Sequence, residues 1–122
     1  MVKDERTSRE PVSGTGEIEA SDASLNTVVD LDGGETYALD TVRLQYLDAG
    51  TTETTVEIYD LSSDADLADA TDVVDTLVIS GGETVDDVDT VWTDFENGVT
   101  VLTDGDNDAS LYVTTGGYIV TR

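Results

Sequence analysis

The chain has no cysteine and no histidine among its 122 residues, and one each of proline, tryptophan, phenylalanine and methionine. Without cysteine there is no disulfide to staple a small core, no thiol chemistry, and no marker of redox compartment. Without histidine or cysteine the commonest metal ligands are missing, and so is the Ser-His-Asp triad. The glycine pairs Gly33-Gly34, Gly81-Gly82 and Gly116-Gly117 lack the surroundings of a phosphate loop and read as turns. No apolar run reaches the roughly 20 residues of a membrane-spanning helix. The N-terminus has no apolar core of a secretory signal, so none is expected. An enzyme is not expected.

Cations are nearly as scarce. Lys and Arg total 5 against 28 Asp and Glu, a formal net charge of −23. Three of the five, Lys3, Arg6 and Arg9, fall in the first nine residues, and the rest of the chain holds only Arg43 and Arg122. Such a body repels itself in dilute buffer. At 1 M salt the screening length falls to about 3 Å and the repulsion largely disappears. An acidic, lysine-poor chain rich in Thr and Val therefore reads as a protein of molar salt. The competing reading is an acidic domain of ordinary salt, such as a calcium-dependent extracellular module. Either way the charge argues against nucleic acid, whose phosphates need cations, and against anionic membranes.

What is present is β pattern. Leu, Val, Ile and Phe make up about a quarter of the chain, enough for a folded domain. In residues 37–47 Val42, Leu44 and Tyr46 alternate with Thr41, Arg43 and Gln45, giving one apolar and one polar face. Val56 and Ile58 alternate with Glu57 and Tyr59 in the same way. With Asp48-Ala49-Gly50-Thr51 between them, residues 37–61 read as a hairpin. Gly33-Gly34 predicts a second hairpin with residues 27–31, and Asn97-Gly98 a third. Further strands are expected at 73–79, 90–93, 99–103, 111–114 and 118–121, with a turn at Thr115-Gly116-Gly117 and an acidic loop at 62–72. About eight short strands with regular turns predict an all-β, jelly-roll-like antiparallel β-sandwich over residues 25–122. Residues 1–24 are polar, hold Pro11, and read as an N-terminal arm, flexible or bound to a partner through Lys3, Arg6 and Arg9. Glu17-Ile18-Glu19-Ala20 within it has the composition of an edge strand.

Two local constellations carry chemistry. Asp104, Asp106 and Asp108 alternate as at the start of a calcium loop, which makes them candidate ligands for a structural Ca²⁺, Mg²⁺ or Na⁺. The EF-hand glycine and glutamate are replaced by Ala109 and Thr115, so the loop is not an EF-hand. An acidic hairpin loop is the plainer reading. Asp86, Asp87 and Asp89 form a second cluster, read as a solvated face. Trp92 is either a platform for sugar or a protein partner, or core and interface packing. Arg43, the only cation between Arg9 and Arg122, lies beside Thr41 and Gln45 on the polar face of its strand and is expected to meet a carboxylate within the domain or on a neighbour.

The runs Tyr37–Leu44, Thr55–Ile58, Thr90–Trp92, Leu102–Asp106 and Leu111–Val113 resemble the small β-sandwich proteins on the heads of tailed viruses, the capsid decoration or cement proteins. With the acidic composition the chain resembles such a protein from a haloarchaeal virus. The resemblance spans residues 26–122. It implies a trimer or pentamer on the capsid surface, assembled in the host cytoplasm. It further implies the major capsid protein or other virion proteins as partners, an arm on the shell or a neighbouring subunit, no catalytic residues and no cofactor. The alternative is a carbohydrate- or receptor-binding β-sandwich module that serves host attachment.

Overall fold

Eight strands and one 3₁₀ turn, Leu67–Asp69, run through the computed structural model, which describes residues 8–46, 50–80 and 84–121, with the backbone alone at 8–9 and 84–93. The strands are β1 (Ser8–Ile18), β2 (Asn26–Asp30), β3 (Glu35–Tyr46), β4 (Thr54–Asp60), β5 (Asp75–Ile79), β6 (Thr84–Phe95), β7 (Gly98–Thr103) and β8 (Leu111–Thr121). They form two four-stranded sheets, in the orders β1-β8-β3-β6 and β2-β7-β4-β5. The antiparallel pairs nest: β1 with β8, β2 with β7, β3 with β6 and β4 with β5. This is one long ribbon closed between β4 and β5, then rolled so that β3 also meets β8 and β4 also meets β7. The result is a jelly roll, and the fold class expected from strand spacing is the one observed.

The connections are a different matter. Only β4 and β5, among consecutive strands, share a sheet. The hairpin expected over residues 37–61 does not form, because β3 and β4 lie in opposite sheets. The same holds at Gly33-Gly34, between β2 and β3, and at Asn97-Gly98, between β6 and β7. Each is an arch over the end of the sandwich. Polar turn residues suit an arch as well as a hairpin, and burial of both strands' apolar faces against each other decides between them. Tyr46 shows how the β3–β4 arch is held: its hydroxyl donates to Thr52 O at 2.7 Å and lies 2.9 Å from Thr54 Oγ1. At the β6–β7 arch Gly98 is obligatory. It has φ +157°, and a Cβ there would stand 2.7 Å from the carbonyl oxygens of both Leu61 and Val29.

The expected arm over residues 1–24 is, from Ser8 to Ile18, the edge strand β1, paired with β8 along its whole length. Its interior side is tied down by polar contacts. Gly14 N donates to Thr115 Oγ1 at 3.1 Å, and the Tyr37 hydroxyl donates to Val12 O at 2.8 Å. Ile18 is fully buried. Nor does Gly116-Gly117 turn the chain. Both lie within β8, opposite Ser13 and Val12 of β1 and Thr41 and Leu39 of β3. The absence of a side chain at Gly117 leaves the space that the Tyr37 ring occupies on its way to β1: a Cβ there would sit 2.9 Å from Tyr37 Cζ.

The core lies between the sheets. Val42, Leu44 and Tyr46 face inward as their alternation predicts, yet Tyr37 and Leu39 are buried as well. A β-bulge between Leu39 and Thr41 reverses the parity and lets both runs face the core. Across from them stand Val56 and Ile58 of β4, Leu77 and Ile79 of β5, and Val99 and Val101 of β7.

Candidate functional site

At one end of the roll the loops 19–25, 50–53 and 104–110 are knitted together. Asn107 is buried and its side-chain amide donates to Glu19 O at 2.9 Å and Ala109 O at 3.0 Å. Ser21 N donates to Asn107 O at 2.9 Å, and Thr103 Oγ1 to Asp22 O at 2.6 Å. The carboxylates of the sequence motif take part as acceptors. Asp108 accepts from Thr51 N at 2.8 Å, from Thr52 N at 3.2 Å, and from both threonine hydroxyls. The Thr51 hydroxyl and these amides hold the Asp108 carboxyl well below the usual carboxylate range. Asp104 accepts from Thr55 N at 3.1 Å and Asp106 N at 3.0 Å. Asp106 is exposed and contributes its backbone carbonyl, which accepts from Thr52 Oγ1 at 2.6 Å. Asp104, Asp106 and Asp108 are therefore not brought together as a cation cage. No group of three or more acidic side chains is placed to hold a metal among the described residues.

Three of the partner-binding candidates fall within the described strands. Lys3 and Arg6 lie outside the described residues. Arg9 is in β1, opposite Val120 of β8. Arg43 is exposed on the outer face of β3, where the backbone register sets it opposite Asp86 of β6 and Thr114 of β8. Trp92 belongs to β6, in the stretch between Val88 and Thr93 where pairing with β3 shifts. Arg9, Arg43 and Trp92 thus stand on three different strands of the first sheet, β1, β3 and β6.

A different feature stands out at the other edge of the second sheet. Residues 61–74 leave the end of β4, pass the start of β7 and the end of β2, and return to β4 ahead of β5. Leu61 N donates to Gly98 O at 3.2 Å, the Ser63 hydroxyl to Asp30 at 2.9 Å, and Val74 N to Ile58 O at 2.8 Å. Tyr59, on the outer face by alternation, is only 5% exposed. Burial, together with the Glu57 carboxylate that accepts from its hydroxyl at 2.8 Å, pushes the Tyr59 phenol up. Within this loop and the edge strand β5 stand Leu67, Val73, Val74 and Val78, 57%, 44%, 37% and 48% exposed. With Leu77 and Ile79 facing the core, Val74, Thr76 and Val78 line the outer face of β5. Among the same residues are Asp64, Asp66, Asp69, Asp72 and Asp75. Sequence reading passed over this surface, although one signal was there: neighbouring Val73 and Val74 cannot both point inward in a strand of period two.

No family model and no curated protein matches the chain. Solved structures do. A protein of Bacillus endospore appendages, described as a novel family of disulfide-linked pili, superposes with a TM-score of 0.54 at 17% identity, covering 98% of this chain and 92% of that one. A chain from the acidic stable capsid structure of Helicobacter pylori bacteriophage KHP30 gives 0.54 at 11% identity, covering 93% of each. At these identities the likeness is one of fold: the chain is a β-sandwich of the kind found in a pilus and in a viral capsid.

Proposed function

We propose that this chain is a virion structural protein that binds the capsid surface and stabilises contacts between capsid subunits, as a decoration or cement protein working in molar salt. The observation that carries the reading is the end-to-end match to a capsid chain of nearly equal length, 93% of each being covered. In this reading the jelly roll is a small component that sits beside larger shell proteins. The function is contact, with no chemistry at the protein's own residues, and it calls for assembly as a trimer or pentamer. The acidic body, −23 overall, supports the saline setting, since such a surface holds water and cations where ordinary surfaces dehydrate.

The test is fractionation. An antibody raised against the purified chain is used to follow it through a density gradient of the source culture in molar salt. Particles stripped of the chain are then recombined with it, and the temperature of genome release is read. Co-sedimentation with particles and a higher release temperature on add-back are expected. A chain confined to cell fractions, or one that binds glycans as a monomer and leaves particle stability unchanged, overturns the reading.

A further inference from the structure

We infer that Asn97 is a site of spontaneous covalent modification, deamidation through the backbone nitrogen of Gly98, and that Asp60 holds the reaction in check while the β6–β7 arch is closed. The chain has three asparagines, and of these Asn97 alone precedes a glycine; Asn26 and Asn107 precede Thr27 and Asp108. In this reaction the nitrogen of the following residue gives up its proton and attacks the side-chain carbonyl carbon of asparagine. Ammonia leaves and a five-membered succinimide ring closes. Water, the only co-reactant, then opens the ring at one of its two carbonyls. Cleavage at the side-chain carbonyl leaves aspartate at position 97. Cleavage at the main-chain carbonyl leaves isoaspartate, whose backbone runs through the former side chain and is one methylene longer. Glycine favours the attack because no Cβ shields its nitrogen.

The arch supplies both the opportunity and the guard. Asn97 is exposed, so water reaches its side chain, while Gly98 is buried. Gly98 N donates to Asp60 Oδ1 at 3.3 Å, beside Asn97 N at 2.8 Å and Glu96 N at 3.1 Å. The Gly98 carbonyl accepts from Leu61 N at 3.2 Å, so the peptide groups on both sides of its Cα are tied to the end of β4. The attack needs the nitrogen stripped of its proton and brought to within about 3–3.5 Å of the side-chain carbon. Asp60 opposes both requirements. As an acceptor it keeps the N–H aimed at itself. As an anion it raises the cost of the negative charge that the nitrogen must take. The reaction therefore waits for the arch to open, a local event that costs less than global unfolding.

The product does not fit the closed arch. Either form puts a new carboxylate on the residue whose N–H Asp60 accepts. Isoaspartate also lengthens the backbone just ahead of Gly98, where two tethers, and the carbonyl oxygens of Leu61 and Val29 close by, leave no slack. An opening is thus recorded permanently as a loosened arch. The inference does not rest on the virion reading.

The test follows the full chain in molar NaCl at mildly alkaline pH, by peptide mass spectrometry for the amide-to-acid mass gain and for isoaspartate at position 97. The chain unfolded in concentrated urea is the open reference. The folded wild type is expected to react much more slowly than that reference, and Asp60→Ala roughly ten- to a hundredfold faster than the folded wild type. Asp60→Asn, which keeps an acceptor without the charge, should react at a rate between the two and takes the place of the alanine variant if that does not fold. Gly117→Ala, which loosens the first sheet and leaves Asp60 in place, controls for global unfolding. With urea added until the variants are equally stable, the Asp60 variants should remain the faster. The purified product should melt below the unmodified chain by circular dichroism. A folded wild type that reacts as fast as the unfolded chain overturns the inference. So do folded Asp60 variants no faster than Gly117→Ala at equal stability, a rate lowered by Asp60→Ala as though the carboxylate were a base, or a product that melts with the unmodified chain.

Discussion

Two glycine pairs that look alike in the sequence should respond in opposite ways to the same substitution. Gly117→Ala places a methyl 2.9 Å from Tyr37 Cζ and 3.0 Å from its hydroxyl oxygen, and closer still to the carbonyl oxygen of Ala38. The carbonyl belongs to β3 at the centre of the first sheet and cannot retreat without disturbing the ladder with β8. The ring is held by its hydrogen bond to Val12 O at 2.8 Å, and by its approach to Thr115 Oγ1 at 3.3 Å. Overpacking of this kind costs about 1–3 kcal/mol, and displacing the hydroxyl from its partner adds about 1 kcal/mol. A total near 3 kcal/mol is a large share of the roughly 5–15 kcal/mol that holds a domain together. For a chain of this size it lowers the melting temperature by about 10 °C. Gly33→Ala, with nothing within 4 Å of the added carbon, should change stability by less than about 0.5 kcal/mol. Both are read by thermal unfolding followed by circular dichroism in the same molar-salt buffer. If Gly117→Ala melts within about 2 °C of the wild type, Gly117 is not the lane for Tyr37 and β8 is misplaced.

Asp60→Ala removes the carboxylate that accepts from the amides of Glu96, Asn97 and Gly98, at 3.1, 2.8 and 3.3 Å, and should cost about 2 kcal/mol in urea unfolding; an unchanged midpoint would remove that carboxylate from the β6–β7 arch. Because the Asp108 carboxyl lies below its unfolded value of 3.8, its contribution is present above that pH and is lost as pH falls below it. Asp108→Asn should therefore flatten the acid limb of the stability profile and leave its alkaline limb alone. Burial raises the phenols of Tyr37 and Tyr59 above 10.0, so the stability they add is complete below that pH and disappears as pH climbs through the raised values. Tyr37→Phe should soften the alkaline limb, as measured by unfolding between neutral and strongly alkaline buffer. The melting temperature itself should climb between about 0.1 M and 1 M NaCl as the screening length shrinks from about 10 to 3 Å; a salt-independent value would contradict the molar-salt reading.

The strands were more legible than their partners. Alternation in residues 42–46 and 56–58 correctly separated buried from exposed side chains, because period-two burial is local and survives whichever strand lies alongside. Pairing is not local. Every expected hairpin, at residues 37–61, at Gly33-Gly34 and at Asn97-Gly98, joins strands that face each other across the core, since these turn residues reverse the chain equally well in either geometry. Even the strand number agreed partly by compensation. β8 was divided at Gly116-Gly117, whose lack of side chains reads as a turn when the Tyr37 ring filling the gap lies some 80 residues away in sequence. Of β1 only the end was read, as an edge strand at Glu17-Ile18-Glu19-Ala20, because its inward positions include Gly14 and Gly16, which carry no apolar signal, and because Thr115 and Tyr37 supply the contacts that hold it.

The acidic loops were legible in sequence as either a cation site or plain acidic turns, and the structure adds which donors their carboxylates accept from. An arch between sheets differs from a hairpin in one respect that matters here: its amides do not find carbonyls on the neighbouring strand and need other acceptors. In this chain carboxylates provide them. Asp108 serves the β3–β4 arch, Asp60 the β6–β7 arch, and Glu35 receives Asp32 N at 2.8 Å in the β2–β3 arch. Asp104 joins the end of β7 to Thr55 of β4. Regular spacing of aspartates in a loop thus has two physical causes, convergence on a cation or divergence onto separate amides, and the sequence pattern is common to both. The distinction has a consequence for the charge of the whole molecule. A carboxylate satisfied by amide donors keeps its negative charge without a cation beside it, so each arch adds to the repulsion that salt must screen. A jelly roll built from arches and stapled by aspartates is for that reason more sensitive to the screening of its charges than a hairpin sandwich of the same composition, whose acids would be free to be exchanged for neutral residues without loosening the loops.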